Sequence, residues 1–403
     1  MRLENTTEKI SELLLSDSEW KANNNSLLSG NSGIGLFLAH YYKASGCNKA
    51  KNRALEIQKN LLSKLDKFNL RFSDGLSGQL WSYDQIQTLI ESDDSYHFTK
   101  WLTKNLIIQS NEIVASDQID FLHGLLGIEQ CTYGIKKEEF SSLVDQVLLK
   151  QVKIDFRGAF WFESLGEKNV INLGLAHGQA AHLIYLTERL NSTQHSSKFR
   201  QLIKEGINFL NFYLSEESLS MFPSYIVKDE PSYPSRLAWC YGDLGIGIAY
   251  LKCGKVLTDE TIYQKGLEIL KHTLQRRERS KSGIVDLGIC HGSSGLIQLY
   301  EYLHRSTNEA CFSECRDYWL DHSLRRLFHN TSTYRAYRGP EEGWIQSNGL
   351  LDGLAGIGLV LLSQLFPYLS KWEEMFYLKP IRDGKISVTP SCSDPPTKLA
   401  DQI

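Results

Sequence analysis

Cys290 and His291 stand side by side in the chain, directly before the turn-like sequence Gly292-Ser-Ser-Gly295. A thiolate and an imidazole are both good ligands for zinc and related ions. Adjacent side chains cannot both point down one face of a helix, so a pair that meets one ion must lie in a turn or at the mouth of a helix. A Cys-His pair alone is more often ordinary packing, so its meaning depends on what else the chain brings to the same place.

The Gly-x-x-Gly pattern after this pair recurs along the chain, with spacings of 45, 49, 54, 64, 50 and 61 residues between copies. The copies begin at Gly30, Gly75, Gly124, Gly178, Gly242, Gly292 and Gly353. The fourth copy has Ala181 in place of its second glycine. One such pair of glycines is a weak signal, but seven copies at nearly regular spacing predict a repeat protein.

Each copy opens a helical run that is apolar on most sides and is therefore predicted to be buried. Its glycines, one turn apart, would let neighbouring helices approach closely. Amphipathic segments alternate with these runs, at 10–15, 54–65, 98–108, 140–148, 199–210, 262–270 and 320–328. Seven inner and seven outer helices predict an all-α fold, an (α/α)7 toroid, because a closed ring buries every inner helix between neighbours. Residues 159–164 and 222–234 are expected to be loops or short extended pieces.

The inner helices of such a ring run parallel, so residues just ahead of each glycine turn gather at one mouth. Cys240 and Cys290 are 50 residues apart, one repeat, which places them on adjacent hairpins at the same height. Two thiolates and the imidazole of His291 suit zinc, and three protein ligands leave a fourth position open, as in catalytic zinc sites. The same mouth receives Asp120, His177, Arg236 and Tyr241.

Other side chains near the mouth receive less specific predictions. Asp74 and Asp352 directly precede two of the copies and are expected to cap helices. His123 is ambiguous, and we assign it no role. The six cysteines away from the mouths are expected to be ordinary packed or surface residues.

Bulk composition limits the class of protein. A net charge of -3 gives no basic footprint, so nucleic acid is not expected as the main ligand. The first 16 residues lack the features of a signal peptide, and the longest apolar stretch, near 353–362, is too short to span a bilayer. We therefore expect a cytoplasmic protein with no integral membrane segment, formed by one toroid over residues 1–390 and a flexible C-terminal tail at 391–403.

The pattern resembles the lanthionine synthetase C-like (lanthipeptide cyclase) family over nearly the whole chain. Three motifs carry the resemblance: Trp239-Cys240-Tyr241-Gly242, Cys290-His291-Gly292 and Ala176-His177-Gly178. The resemblance implies an α/α toroid with one central catalytic zinc ion held by Cys240, Cys290 and His291. It also implies catalytic roles for His177, Asp120, Arg236 and Tyr241.

The activity that the resemblance implies is zinc-dependent closure of thioether rings. A cysteine thiolate of a dehydrated precursor peptide adds to a dehydroalanine or dehydrobutyrine of the same peptide, and the resulting enolate takes a proton, for which His177 is the preferred acid. Asp120 would orient His177, while Arg236 and Tyr241 would position the peptide or stabilise the enolate. The implied partners are the peptide, a separate dehydratase and export machinery.

Two alternatives stay open. One is transfer of a small thiol such as glutathione to dehydroamino acids, and the other is a non-catalytic, zinc-stabilised helical scaffold. A toroidal glycosidase fits least, because its chemistry needs paired carboxylates. The chain departs from the family pattern at Ala238, where many members have glycine, and at Ala181. No gap between copies is expected to hold the small β-domain that some bacterial members carry.

Overall fold

The computed structural model describes residues 3–22, 24–65, 69–90, 118–132, 135–165, 168–230, 232–328 and 333–381. Each glycine turn is followed by an inner helix. The inner helices span Asn31–Ser45, Leu76–Ile90, Leu125–Gln130, Gln179–Arg189, Asp243–Leu257, Ser293–Thr307 and Leu354–Leu365. They are buried on nearly all sides, as their apolar sequences predict.

Outer helices alternate with the inner ones along the chain. Those within the described ranges span Leu3–Ser16, Asn48–Ser63, Ile135–Gln151, Ser196–Phe212, Glu260–His272 and Ala310–Arg326. In Asn48–Ser63 the predicted stripe is buried at Ala54, Ile57 and Leu61 but not at Leu62, which is 39% exposed. The predicted outer helix at 98–108 lies outside the described residues.

Shorter helices complete the helical part of the chain. There are 3₁₀ helices at Trp20–Ala22, Thr273–Gln275 and Pro367–Phe376, and single α-turns at Arg279–Ser282 and Gly339–Glu342. None of the helices described combines the length and apolar composition that crossing a bilayer requires.

The first and last repeats meet and close the ring. Inner helix Leu354–Leu365 packs against inner helix Asn31–Ser45. It also packs against Leu3–Ser16, so the first outer helix of the chain covers the last inner helix. The predicted toroid is therefore confirmed, with the two ends of the chain joined at a seam that resembles the other contacts between repeats.

A circle of backbone hydrogen bonds follows this ring at the mouth. In each bond, an amide just ahead of one glycine turn donates to the carbonyl two residues before the first glycine of the next copy. The donor and acceptor pairs are Leu28–Ser73, Ser73–Leu122, Leu122–Ala176, Ala176–Cys240, Trp239–Cys290, Cys290–Leu351 and Leu351–Leu28, with N–O distances of 2.8–3.3 Å. The seven turns are thus tied directly to one another.

The second glycine of a copy lets its turn and the neighbouring copy approach closely. A Cβ atom added at Gly127 would lie 2.0 Å from the carbonyl oxygen of Phe121, in its own turn, and 2.6 Å from the Cβ of Phe72, in the preceding copy. The expected close approach between repeats is therefore present. It is accompanied by an equally tight contact inside the repeat, which glycine spacing alone did not predict.

Short strands are added to the helical ring. They are β1 Lys153–Asp155, β2 Gly158–Phe160, β3 Glu163–Leu165, β4 Lys168–Asn172, β5 Tyr225–Val227, β6 Arg335–Tyr337 and β7 Trp344–Gln346. They form antiparallel sheets β1-β2, β3-β4-β5 and β6-β7, with Glu163 opposite Val170 and Ile171 opposite Ile226. The segments at 159–164 and 222–234 thus contain the short extended pieces that the sequence allowed.

These strands occupy the three longest intervals between copies, those of 54, 64 and 61 residues. They therefore account for the uneven spacing of the repeat. The extent of the single toroid, 1–390, stays a prediction, and the tail predicted at 391–403 lies outside the described residues.

Candidate metal centre and active site

The turns at the mouth hold the reactive side chains. Cys240 and Cys290 each stand two residues before the first glycine of a copy, the position whose backbone belongs to the hydrogen-bonded circle. Gly242 has φ +86°, a conformation that side chains rarely adopt, and it lets the chain turn sharply from Cys240 into the inner helix. Cys240 is thereby held at the amino-terminal end of that helix, where the backbone dipoles favour a thiolate.

Cys240, Cys290 and His291 meet at one point. One ligand atom from each residue lies within 4.8 Å of the others. Cys240 is 3% exposed, and the other two are partly buried. The prediction from repeat phase, that the two cysteines face each other across adjacent hairpins, agrees with this geometry.

Hydrogen bonding within the trio favours a thiolate at Cys240. A hydrogen bond from the Cys290 thiol lowers the pKa of Cys240 to about 5, although burial acts in the opposite direction. A hydrogen bond from His291 and the charge of Arg236 add to the lowering of that pKa. Because Cys290 is the donor, its own pKa is raised.

The trio fits a zinc ion. Two sulfur atoms and one imidazole nitrogen are a borderline-soft donor set that zinc prefers. The Nδ1 atom of His291 is buried and has no hydrogen-bond partner among the described residues. Buried polar atoms are rarely left unpaired, so a metal ligand role or a bound solvent molecule would account for this nitrogen.

The turn that presents Cys290 and His291 is braced by Asp286. One carboxylate oxygen of Asp286 accepts from the Gly288 amide at 3.1 Å, and the other accepts from the Tyr337 amide at 3.0 Å. Asp286 is 2% exposed. This buried carboxylate fixes the ligand turn against strand β6.

His177 and Asp120 form a second cluster. Nδ1 of His177 lies 3.0 Å from Oδ1 of Asp120, across the contact between the third and fourth copies. Burial opposes protonation of His177, but the hydrogen bond and charge of Asp120, with the charge of Glu163, raise the pKa of His177 above its usual value. Burial likewise opposes ionisation of Asp120, yet His177 and the His123 amide lower the pKa of Asp120.

Two further residues contact this pair. Oε1 of Glu163, on strand β3, lies 3.5 Å from Nδ1 of His177, and Asn172 donates to Oε2 of Glu163 at 3.3 Å. The His123 ring stacks on the His177 ring with centroids 5.2 Å apart, and its Nδ1 lies 3.6 Å from Oδ1 of Asp120.

The sequence analysis left His123 ambiguous and did not identify Glu163, for different reasons. His123 carries a usable signal, since it directly precedes a first glycine, as His177 and His291 do. Glu163 carries none, because it lies on a strand between copies and has no place in the repeat.

Tyr241 lies between the two clusters. Its ring centroid is 6.3 Å from that of His177, and it follows Cys240 directly. Burial, with the neighbouring charge of Cys240, raises the pKa of Tyr241 to about 12. The phenol is therefore protonated at neutral pH and can donate a hydrogen bond.

The structure also gives the surroundings of two other charged residues predicted near the mouth, Arg236 and Asp352. Arg236 is exposed, and its backbone and Cβ face Gly283. The capping role expected for Asp352 is wrong: Gly353 is the N-cap, and Asp352 pairs with Arg338 at 3.1 Å. Arg338 lies on the segment between the sixth and seventh copies, so the partner of Asp352 could not be read from the repeat.

The structure is thus a helical toroid of inner-helix turns that gathers two cysteines, three histidines and a buried aspartate at one mouth, in two groups that could each hold a metal ion. Residues 21–377 match the family model described as lanthionine synthetase C-like protein. The chain belongs to the lanthionine synthetase C-like family, and the resemblance in its motifs is confirmed.

Two proteins are similar to this chain over most of their length. The nisin biosynthesis protein NisC of Lactococcus lactis subsp. lactis is 24% identical over 367 residues, which cover 83% of this chain and 84% of the relative. The solved structure of nisin cyclase superposes with a TM-score of 0.76 at 19% identity, covering 93% of this chain and 98% of the other. The structural likeness bears on the fold alone.

Proposed function

We propose that this protein is a zinc-dependent lanthipeptide cyclase. Its substrate is a dehydrated precursor peptide, and its reaction adds a cysteine thiolate of that peptide to the β-carbon of a dehydroalanine or dehydrobutyrine. A carbon–sulfur bond forms, the electron pair of the double bond moves into an enolate, and the α-carbon then takes a proton. Family membership and the sequence similarity to the nisin biosynthesis protein NisC support this proposal.

Cys240, Cys290 and His291 hold the zinc ion in this proposal. When bound, zinc lowers the pKa of a substrate thiol, so that a thiolate is available near neutral pH. The hydrogen-bonded circle keeps the Cys240 and Cys290 turns side by side, which limits the reorganisation needed to take up the ion.

His177 supplies the proton to the enolate. Asp120 accepts at Nδ1, so Nε2 is the ring nitrogen left to donate. The hydrogen bond and charge of Asp120 raise the pKa of His177, which favours the protonated ring that a general acid requires. Tyr241 donates a hydrogen bond to the enolate oxygen, and the exposed cation of Arg236 positions the peptide or stabilises the same charge.

The observation that carries the proposal is that two clusters lie at one mouth. The first is the thiolate trio, formed by Cys240, Cys290 and His291, and the second is the His177–Asp120 pair. Tyr241 contacts His177 and directly follows Cys240. One bound peptide can therefore reach both clusters. A substrate thiolate at the trio would attack the β-carbon of a double bond, and His177 would protonate the α-carbon of the same bond. A purely structural zinc site would not need the second cluster.

A dehydrated peptide with one free cysteine tests the reaction. Cyclisation leaves the mass unchanged, so the product is treated with a thiol-alkylating reagent and examined by mass spectrometry. We expect the peptide to lose its alkylation after incubation with the zinc-loaded protein. An alkylated peptide would contradict the proposal, and a mass gain from added glutathione would favour small-thiol transfer instead.

Two variants separate the roles of the clusters. Cys290→Ala is expected to lose both stoichiometric zinc and cyclisation, whereas His177→Ala retains zinc and loses cyclisation. Cys311→Ala is the matched control, since Cys311 lies on the outer helix Ala310–Arg326 and should leave both unchanged. Full zinc content in Cys290→Ala would refute the ligand assignment.

The partners and location belong to the same proposal. A separate dehydratase must supply the dehydroamino acids, and export machinery would take the finished peptide. Synthesis in the cytoplasm agrees with eight cysteines that show no disulfide-framework spacing. Co-purification with the dehydratase and cell fractionation test these points.

A further inference from the structure

We propose that Asp120, His123 and His177 form a second metal site, for a divalent transition ion such as zinc, and that filling this site inhibits the enzyme. The binding half of this proposal stands on the geometry of the three residues. The inhibitory half rests on the proposed function, in which His177 is the proton donor.

The three side chains form a compact donor set. One ligand atom from each lies within 4.8 Å of the other two. Oδ1 of Asp120 is 3.0 Å from Nδ1 of His177 and 3.6 Å from Nδ1 of His123. Two imidazoles and one carboxylate are a common set for zinc and for other first-row divalent ions.

The backbone holds the three ligands in place before any ion arrives. The His123 amide donates to Oδ1 of Asp120 at 2.9 Å, which fixes the carboxylate within its turn. The Leu122 amide donates to the Ala176 carbonyl at 3.3 Å, which ties that turn to the one carrying His177. A preorganised set needs little rearrangement to bind an ion.

Charge around the cluster favours a cation. Asp120 and Glu163 bring two carboxylates, and the ion-pair partners found for them within the described residues are His123 and His177. One protonated imidazole neutralises one of the two charges. A divalent ion would neutralise both, and Glu163, 3.5 Å from Nδ1 of His177, would lie beside it.

The cluster is open to solvent on one side. Asp120 and His177 are largely buried, with side chains 9% and 15% exposed, whereas the His123 side chain is 40% exposed. An ion can therefore reach the site past His123. This side chain completes the second donor set and takes no part in the trio at Cys240.

Binding at this site would remove the acid. The ion takes the Nδ1 electron pair of His177, and the proton on that nitrogen leaves to solvent. The ring that remains is neutral and keeps its Nε2 proton, but a neutral imidazole is a much weaker acid near neutral pH than the imidazolium, so the enolate is protonated more slowly. The thiolate trio binds zinc more tightly because its ligands are softer, so one equivalent activates and an excess inhibits.

Equilibrium dialysis with excess zinc tests the binding half. We expect two zinc ions per chain in the wild type and one in His123→Ala or His123→Gln, whose second-site affinity should fall at least about 100-fold. His322→Ala is the matched control, because it removes an imidazole from the outer helix and should keep two ions. One ion in the wild type, or two in both His123 variants, would overturn the site.

Cobalt substitution provides a second measurement. Cobalt bound by Cys240 and Cys290 shows thiolate charge-transfer absorption, whereas cobalt bound by the second cluster adds intensity without it. In the wild type, we expect the second equivalent of cobalt to add absorption without any thiolate charge-transfer band. In His123→Gln, the second equivalent should add no absorption. A second rise in thiolate absorption would place the extra ion at the trio and refute the proposal.

Cyclisation measured across a zinc titration tests the inhibitory half. Wild-type activity should rise to one equivalent of zinc and fall as the second ion binds, while the activity of His123→Gln should not fall. Unchanged wild-type activity with two ions bound would overturn inhibition. Absence of cyclisation at every zinc level would refute the proposed function instead, and dialysis would still decide whether the second site exists.

Discussion

Asp120→Asn removes the negative charge beside His177, the proposed acid. The substitution keeps the shape of a side chain that is 9% exposed and retains an oxygen for the His123 amide. The same oxygen accepts from Nδ1 of His177 at 3.0 Å, so the substitution replaces a charged acceptor with a neutral amide oxygen. We expect cyclisation near neutral pH to slow about 10- to 100-fold, while zinc stays bound to the thiolate trio.

The magnitude follows from the charged hydrogen bond. Such a bond contributes about 1.5–3 kcal/mol. About 1.36 kcal/mol corresponds to a factor of ten, so removing the charge of the acceptor lowers the pKa of His177 and reduces the population of the protonated acid by about 10- to 100-fold at most. Asp120 and Glu163 raise that pKa in the wild type, so the protonated acid persists to higher pH than an ordinary histidine allows. In the variant it is lost at lower pH.

The assay is the pH dependence of kcat for cyclisation. The alkaline limb of the profile should move to lower pH, and activity should recover as the pH is lowered. Glu163→Gln is the matched comparison and should move the limb less, because Glu163 lies 3.5 Å from the same nitrogen. A superimposable profile, or an equal loss at every pH, would refute the reasoning, since misfolding lowers activity at all pH values.

Three further substitutions probe the frame and the site. Gly295→Ala should lower the free energy of unfolding by about 1–3 kcal/mol in chemical denaturation, because the new Cβ would lie 2.0 Å from the Ile289 carbonyl oxygen. Unchanged stability would show that the backbone of the turn shifts to accommodate a methyl group. Arg276→Met leaves the buried carboxylate of Asp243, 3.3 Å from the guanidinium, without its charged partner and should cost about 3–5 kcal/mol in the same measurement. Tyr241→Phe should keep full zinc content and slow cyclisation about tenfold through one lost hydrogen bond, and an unaltered rate would remove the phenol from the mechanism.

The ring and the thiolate trio could be predicted because both follow the repeat. Cys240 and Cys290 occupy the same position in adjacent copies, and the toroid converts that equivalence into contact. His177 and Asp120 precede neighbouring copies and meet for the same reason. Regular packing of the repeats brings such positions together, so their contacts can be predicted from the repeat.

The contacts made by side chains on the segments between copies could not be predicted in this way. Glu163 reaches His177 from β3, a strand in the interval between the third and fourth copies that has no place in the repeat. Arg338 reaches Asp352 from a segment without repeat phase, which made the capping prediction wrong. His123 had the right phase, but nothing in one sequence distinguished a site residue from a packed one.

The circle of backbone bonds also sets the order in which the site can be assembled. The Cys290 amide donates to the Leu351 carbonyl, and the Leu351 amide donates to the Leu28 carbonyl. The turn bearing two of the proposed zinc ligands is therefore braced by the last repeat, which is braced by the first. Contacts between residues this distant in sequence form late, after local hairpins. We therefore expect a chain still lacking its seventh repeat to hold Cys240 and Cys290 loosely, and the proposed metal centre to form only when the first and last repeats have met.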